Sequence, residues 1–243
     1  MPNPSELQIK EQMCEVGRRI WARGFCAGNA GNHSVRVGPD RFLCTPSGLS
    51  KGFLSPQDIC VVDATGRSIE PNPRSHKPSS EILLHLAIYR KRGDISAVVH
   101  SHPPHATAFA IANLPVPEGI HPEAEVFLGK VRIAPYATPS TEDLPQSVEP
   151  LIGSHTSTIL LGNHGSVSFS DDLMDAYYRL EILDAYCRVL ILAMPLRQIN
   201  VLSADQMKEL LQVKRKFGFE DERTGAEEGI GQDNEPFVSK LDG

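Results

Sequence analysis

The chain has 243 residues, with 24 basic and 30 acidic side chains and a formal net charge of −6 at pH 7. Its 40% apolar and 22% charged residues are typical of a globular protein and exclude disordered, collagenous and membrane-embedded chains. The acidic balance, without a basic stripe, argues against nucleic acid as the main partner.

The elements predicted in chain order alternate between helices and short strands. Ser5 and Gln8 form a capping box that begins a first amphipathic helix, and Gly24 ends it. A second helix is expected to begin with Ser79 or Ser80 as its cap. Strands are predicted at 33–37, 41–45, 59–63, 95–100, around 131, 158–161 and 166–169. Further helices are predicted near 105–112, 142–152, 171–193 and 204–216.

This alternation, without an internal repeat, predicts one layered α/β domain. We place the domain at residues 1–219. From Glu220 the sequence becomes polar and acidic, so we expect 220–243 to be a flexible tail or an arm against a neighbouring subunit, with flexibility favoured.

The cysteines and the N-terminus predict a cytoplasmic protein. Five scattered cysteines without a C-x-x-C pair are typical of reduced thiols rather than of a disulfide framework. The first residues show no basic region followed by an apolar core, and no apolar stretch approaches ~20 residues. We therefore expect neither a signal peptide nor a membrane partner.

The sharpest chemical signal is the segment Val98-Val99-His100-Ser101-His102-Pro103. Residues two apart on a strand point to the same face, so His100 and His102 are expected side by side. Pro103 cannot continue a central strand and places the pair at its carboxyl end. Two imidazoles there suit a divalent transition metal, although two polar residues without a role at a strand tip remain the alternative.

Two further residues are candidates for the same site. His164 lies between Gly162 and Gly165, where an apolar strand gives way to a loop that can approach another group closely. Glu81 lies near the start of the second helix, where it is a possible metal ligand or base. The alternatives are a loop histidine in a turn and a carboxylate that interacts with the helix dipole.

Three small-residue segments could present backbone N–H groups and hydroxyls to an anion. They are the loop Gly28–Asn32, the turn Thr45–Gly48 and the pair Ser79-Ser80. None matches a P-loop or a dinucleotide-binding fingerprint, and each alone is more typical of a turn. The histidines at 33, 76, 85, 105, 121 and 155 are not assigned to the site.

Taken together and in this order, the motifs resemble those of the class II aldolase/adducin family, in particular its sugar-phosphate aldolases. The similarity extends from the first helix to about Gly218. The motifs that carry it are Gly28-x-Ala30-Gly31-Asn32-x-Ser34, Thr45-Pro46-Ser47-Gly48, Pro78-Ser79-Ser80-Glu81, His100-x-His102, Ala134-Pro135-Tyr136-Ala137-Thr138 and His164-Gly165.

The resemblance implies a three-layer α/β/α sandwich with a mostly antiparallel central sheet, assembled as a homotetramer with active sites at subunit interfaces. It implies Zn²⁺ held by three histidines, with a carboxylate that is a ligand in the resting enzyme and moves the proton during turnover. The implied ligands are His100, His102, His164 and Glu81. The implied phosphate pocket comprises Asn32, Ser47, Gly48, Ser79 and Ser80.

The implied reaction is zinc-dependent cleavage of a phosphorylated ketose, such as L-fuculose 1-phosphate, to dihydroxyacetone phosphate and an aldehyde through a metal-stabilised enediolate. Two tyrosines of the aldolase pattern are replaced here by Pro122 and Phe217. Sugar-phosphate 4-epimerisation or dehydration at the same metal site therefore remains an alternative. A non-catalytic adducin-like binding module is disfavoured, because the implied metal ligands are all present.

Overall fold

The computed structural model describes residues 4–196, 198–221 and 223, and one seven-stranded sheet organises them. Across the sheet the strands follow the order β3-β2-β1-β4-β7-β6-β5. The strands are β1 (Asn32–Gly38), β2 (Arg41–Cys44), β3 (Cys60–Val62), β4 (Ala97–Ser101), β5 (Arg132–Ala134), β6 (Thr158–Leu161) and β7 (Gly165–Ser170). β5 and β6 pair in parallel and the other neighbours pair antiparallel, which confirms the mostly antiparallel sheet.

Helices cover both faces of this sheet. They are α1 (Glu6–Ala22), α2 (Ile82–Lys91), α3 (Pro104–Ala112), α4 (Pro122–Phe127), α5 (Asp143–Val148), α6 (Leu173–Ala193) and α7 (Ala204–Lys216). One apolar core joins alternate strand residues to α2 and α5, and two others join the opposite face to α1, α3, α4 and α6. The three-layer α/β/α architecture is therefore confirmed. Among the described residues, no helix is both long and apolar enough to span a bilayer.

Of the two helix starts predicted from the sequence, the structure confirms one and corrects the other. Ser5 caps α1 and exchanges hydrogen bonds with Gln8 in the expected capping box. In contrast, the prediction that Ser79 or Ser80 caps α2 is wrong, because Glu81 occupies the N-cap position. The Ser79 hydroxyl instead accepts the Glu81 N–H at 3.3 Å, which completes the turn before the helix.

One helix was not predicted, and it lies in the segment between α3 and β5. α4 has six residues and begins with Pro122 at its first helical position, a place that proline favours. It is too short to show the 3.6-residue periodicity by which the longer helices are recognised. Gly129, with φ +66°, follows it in the left-handed conformation.

The last described residues pack in a cluster of buried charges. Arg223 contacts the carboxylates of Glu118 at 2.7 Å and Glu125 at 2.6 Å, and Lys214 contacts Asp221 at 2.6 Å. The start of the predicted tail is thus fixed to the domain by ion pairs. Residues 222 and 224–243 lie outside the described residues, so the predicted flexibility there stays a prediction.

Candidate metal centre

Three histidines from two parts of the chain meet where the end of β4 lies beside the start of β7, two interior strands of the sheet. His100 is the penultimate residue of β4, His102 follows the strand directly, and His164 lies in the tight turn between β6 and β7. Because β4 pairs with β7, the two segments come together. One ring nitrogen of each histidine lies within 4.8 Å of the others.

The hydrogen bonding of His100 determines which of its nitrogens faces the cluster. A carbonyl only accepts, so the Nδ1–H of His100 donates to the carbonyl oxygen of Ser166 at 2.9 Å. Its Nε2 then carries a lone pair and lies 3.2 Å from Nε2 of His102. Two imidazole nitrogens this close need a proton or a metal ion between them, so the donor set fits a metal.

The environment also keeps the three rings neutral. Burial is the main cause that lowers the pKa of His100 well below its ordinary value, followed by the charges of the other two histidines. Burial likewise lowers the pKa values of His102 and His164. Neutral imidazole is the form that binds a metal, so the site is ready to bind one at neutral pH.

The Glu81 carboxylate lies beside two of the three rings, those of His100 and His164. Its Oε2 is 3.4 Å from Nε2 of His100, and its Oε1 is 3.6 Å from Nε2 of His164. The amide of Asn32 donates to Oε2 at 2.8 Å and fixes the orientation of the carboxylate. Oε1 is buried without a hydrogen-bond partner among the described residues, which leaves this oxygen for a metal or a proton.

Gly165 has no side chain, and the ring of His102 occupies the space that a side chain there would need. A Cβ built at this glycine would be 2.6 Å from the carbonyl oxygen of Ser101 and 2.7 Å from a ring carbon of His102. We expect Gly165→Ala to displace the His102 ring and to weaken metal binding about 10- to 100-fold, although it changes no ligand. Competition with a chromogenic chelator measures this affinity.

The matched control is Gly93→Ala, because a Cβ at that glycine meets nothing within 4 Å. Its metal affinity should equal that of the wild type. Wild-type affinity in Gly165→Ala would mean that the His102 position tolerates the clash and does not depend on this contact.

The structure also brings together the segments proposed to bind an anion. A bridge between Pro46 and Pro78 joins the turn 45–48 to the segment that precedes α2. The Ser47 hydroxyl accepts the Ser80 N–H at 3.1 Å, and both serines are exposed. Asn32, at the end of the loop Gly28–Asn32, donates a hydrogen bond to Glu81. The pocket therefore adjoins the histidine cluster.

The histidines that were not assigned to the site make other contacts. His33 bonds to the Met13 carbonyl and His85 to the Ser34 hydroxyl, both inside the core. Burial lowers the pKa of His33 to about 4 and that of His85 to about 3, which keeps them neutral. His76 and His105 bond to Asp58 and Asp184.

The sequence did not indicate two groups that complete this region. The Ser166 carbonyl orients His100, and the Ser140 hydroxyl donates to that of Ser80 at 2.8 Å. The first contact depends on pairing between β4 and β7, which are 66 residues apart at this point, so no local pattern could reveal it. Ser140 lies shortly after the motif that contains Tyr136, but its spacing from the other site residues did not indicate a role.

A comparison with known families decides the assignment. The sequence model described as "Class II Aldolase and Adducin N-terminal domain" matches residues 11–191, a span that contains Glu81 and all three clustered histidines. The chain belongs to the class II aldolase family. The resemblance stated from the motifs is therefore confirmed.

Individual class II aldolase relatives carry two different names. An L-fuculose phosphate aldolase of Methanocaldococcus jannaschii is 36% identical over 172 residues, which cover 71% of this chain and 90% of that protein. A 3-oxo-tetronate 4-phosphate decarboxylase of Haemophilus influenzae is 35% identical over 178 residues, which cover 71% and 81%. A solved L-fuculose 1-phosphate aldolase superposes with a TM-score of 0.78 at 28% identity, covering 89% of this chain and all of that one.

Both names denote lyases that break a carbon–carbon bond. Together with the family match they identify the chain as a metal-dependent lyase. The histidine cluster is a group that could hold the metal on which class II aldolases depend.

Proposed function

We propose that this class II aldolase cleaves a phosphorylated ketose, such as L-fuculose 1-phosphate, to dihydroxyacetone phosphate and an aldehyde, with Zn²⁺ as its metal. The observation that carries the proposal is the position of Glu81 beside a cluster of three neutral histidines, where it lies close to His100 and His164 and next to a pocket of hydroxyl and backbone groups. A metal, a proton-transfer group and an anion pocket are the three parts that this reaction needs.

The proposed ligands are His100, His102 and His164, with Glu81 as a fourth in the resting enzyme. Three histidines and one carboxylate are a donor set that zinc accepts. When bound, zinc supplies Lewis-acid chemistry by drawing electrons from the substrate carbonyl. The Ser166 carbonyl fixes the ring of His100 and so preserves the geometry of the ligand set.

Glu81 is the proposed proton-transfer residue. In a ketose 1-phosphate, the bond between the carbon next to the carbonyl (C3) and the following carbon (C4) breaks. The C4 hydroxyl gives up its proton to a base, and C4 becomes the aldehyde carbon. The electron pair of the broken bond stays with C3, to which Glu81 delivers a proton, so that one proton leaves the substrate and one returns to it. Asn32 holds one carboxylate oxygen at 2.8 Å, which leaves the other to carry that proton.

The phosphate group of the substrate is proposed to bind at Asn32, Ser47, Gly48, Ser79 and Ser80. Gly48 has φ +77°, a conformation that glycine adopts without strain and that lets neighbouring N–H groups converge on an anion. Ser47 and Ser80 are exposed, so a phosphate can reach them from solvent. The Ser47 hydroxyl donates to the Pro78 carbonyl oxygen at 2.9 Å and would exchange that bond for one to the phosphate.

Decarboxylation of a 3-oxo acid phosphate is the second candidate, and the replacement of a family tyrosine by Pro122 favours it. A 3-oxo-tetronate 4-phosphate contains the same phosphate-bearing keto fragment as a ketose 1-phosphate. Loss of its carboxylate as CO₂ leaves the same dihydroxyacetone phosphate. Because a carboxylate loses CO₂ without giving up a hydroxyl proton, this reaction does not require the phenol that Pro122 replaces.

We also propose a cytoplasmic homotetramer with active sites at its subunit interfaces. Exposed apolar side chains support association with further copies of the chain, among them Ile111 on α3 and Val189 and Leu192 on α6. The five free, buried cysteines agree with a reducing compartment.

Product analysis separates the two candidate reactions. The zinc-loaded protein is incubated with L-fuculose 1-phosphate or with 3-oxo-tetronate 4-phosphate, and dihydroxyacetone phosphate, aldehyde and CO₂ are measured. We expect aldehyde and dihydroxyacetone phosphate in equal amounts from the ketose phosphate. CO₂ from the second substrate, without cleavage of the first, would replace the aldolase proposal by the decarboxylase. An isomer or a dehydrated product would indicate the epimerase or dehydratase alternative.

A further inference from the structure

Lys51 is a buried lysine between two of the loops proposed to bind the phosphate. Its ammonium nitrogen donates to the carbonyl oxygens of Asn29 at 2.7 Å and Leu49 at 2.6 Å. The residue is 2% exposed. Asn29 belongs to the loop Gly28–Asn32 and Leu49 follows Gly48, so this single side chain joins two loops that are separate in the sequence.

The backbone of Lys51 is held in place by α1. It begins one turn of 3₁₀ helix, and a Cβ at Gly17 of α1 would lie 2.3 Å from its carbonyl oxygen. Glycine at position 17 therefore allows the helix to approach this backbone. The rings of Trp21 and Phe53, 5.1 Å apart, pack beside the same contact. Anchored in this way, the lysine side chain extends to the loops from a fixed point.

The charge of Lys51 has no protein counter-ion within the described residues. The other buried lysine, Lys214, contacts the carboxylate of Asp221 at 2.6 Å. In the described part of the chain, no carboxylate oxygen lies within 4.0 Å of the Lys51 ammonium. An ammonium has three donors, and the carbonyls of Asn29 and Leu49 accept two of them. A buried ammonium without a carboxylate partner favours the binding of an anion nearby.

The same charge acts on the metal site. Burial lowers the pKa of Lys51 to about 8, an effect that the nearby Cys26 and Glu81 oppose. Burial and the neighbouring histidines are the larger causes of the low pKa of His100, and the Lys51 charge adds to them. Lys51 is therefore close enough to influence both the histidine cluster and the loops.

We propose that Lys51 is the positioning residue of the phosphate pocket, fixing its two loops through Asn29 and Leu49 and supplying the positive charge that balances the bound phosphate. The inference rests on the proposed function, since it concerns the phosphate of that substrate. The five residues proposed to contact the phosphate, Asn32, Ser47, Gly48, Ser79 and Ser80, carry no formal charge. Lys51 supplies a cation that they lack.

The test measures binding of inorganic phosphate to the zinc-loaded full chain by isothermal titration calorimetry. Lys51→Gln keeps an N–H donor for the carbonyls but removes the charge, and Lys51→Arg keeps the charge. We expect Lys51→Gln to weaken phosphate binding about 10- to 100-fold, while Lys51→Arg retains most of the affinity. Lys51→Arg should bind zinc like the wild type, and Lys51→Gln, which lacks the positive charge that acts on His100, should bind zinc no more weakly than the wild type. Lys214→Gln, the control matched for burial, should bind phosphate like the wild type.

Equal phosphate affinity in Lys51→Gln and the wild type would overturn the proposal, as would a wild type that binds no phosphate at millimolar concentration. If the variants do not fold, NMR of the wild type labelled at the lysine ε-carbons decides. Phosphate should raise the pKa of the lysine that titrates near pH 8, and an unchanged pKa would overturn the proposal.

This test is independent of the reaction. Phosphate binding that depends on Lys51, in a protein that cleaves no ketose phosphate, would leave this inference standing and refute the proposed aldolase activity. Cleavage of ketose phosphates combined with wild-type phosphate binding in Lys51→Gln would refute this inference and support the aldolase activity.

Discussion

His164→Ala should abolish stoichiometric metal binding, lowering the affinity on the order of a hundredfold or more. The substitution removes one of three imidazoles whose nitrogens lie within 4.8 Å of one another. His164 is a better choice than His100, because its side chain is 11% exposed whereas that of His100 is fully buried in the core. His100→Ala should lose the metal too, but it also leaves the Ser166 carbonyl without its donor. Metal analysis after equilibrium dialysis against zinc measures the effect.

The control for this experiment is His155→Ala, which removes a histidine outside the cluster. It should retain one metal ion per chain. Full zinc content in His164→Ala would contradict the ligand assignment. Unfolding in urea, measured on each variant, separates lost ligation from lost stability.

Glu81→Gln is expected to retain most of the metal and to lower turnover 10²- to 10⁴-fold. Glutamine has the shape of glutamate and can keep its oxygen at the position that accepts from Asn32 and faces His100, so the site can still form. It has no negative charge and cannot carry the proton that the reaction transfers. Zinc content and the initial rate of dihydroxyacetone phosphate release, measured on the same preparation, test the two halves of this expectation.

Glu149→Gln is the matched control, since that carboxylate lies on the surface in a contact with Arg90. It should leave both metal content and turnover unchanged. Wild-type turnover in Glu81→Gln would assign proton transfer to another group. Loss of the zinc itself would show that Glu81 acts chiefly as a ligand.

Local sequence signals predicted most of this fold and part of the site. The capping box at Ser5 predicted the start of α1, and the strands predicted at 33–37 and 41–45 are present as the antiparallel pair β1 and β2. Pro103 correctly placed His100 and His102 at the end of a strand, because proline cannot continue the ladder of a central strand. In each case neighbouring residues determine the conformation, so the signal lies within a few positions.

The remaining features depend on contacts between distant segments. Asn32 was assigned to the phosphate, and the structure shows its amide on Glu81, 49 residues away. Lys51 carries no local signal in the sequence, because a single lysine is normally exposed. In the structure its backbone packs against Gly17 and its ammonium bonds to the carbonyls of Asn29 and Leu49. Such contacts follow from sheet order and helix packing, and no local pattern encodes them.

The most direct test of the metal centre is anomalous diffraction at the zinc absorption edge from crystals of the full chain grown with zinc. We expect one strong peak per chain among the Nε2 atoms of His100, His102 and His164, with a Glu81 oxygen beside it. The same crystals soaked with dihydroxyacetone phosphate should place its phosphate at Ser47 and Ser80. A chain that binds zinc elsewhere, or binds none at this cluster, would contradict the assignment of the metal centre.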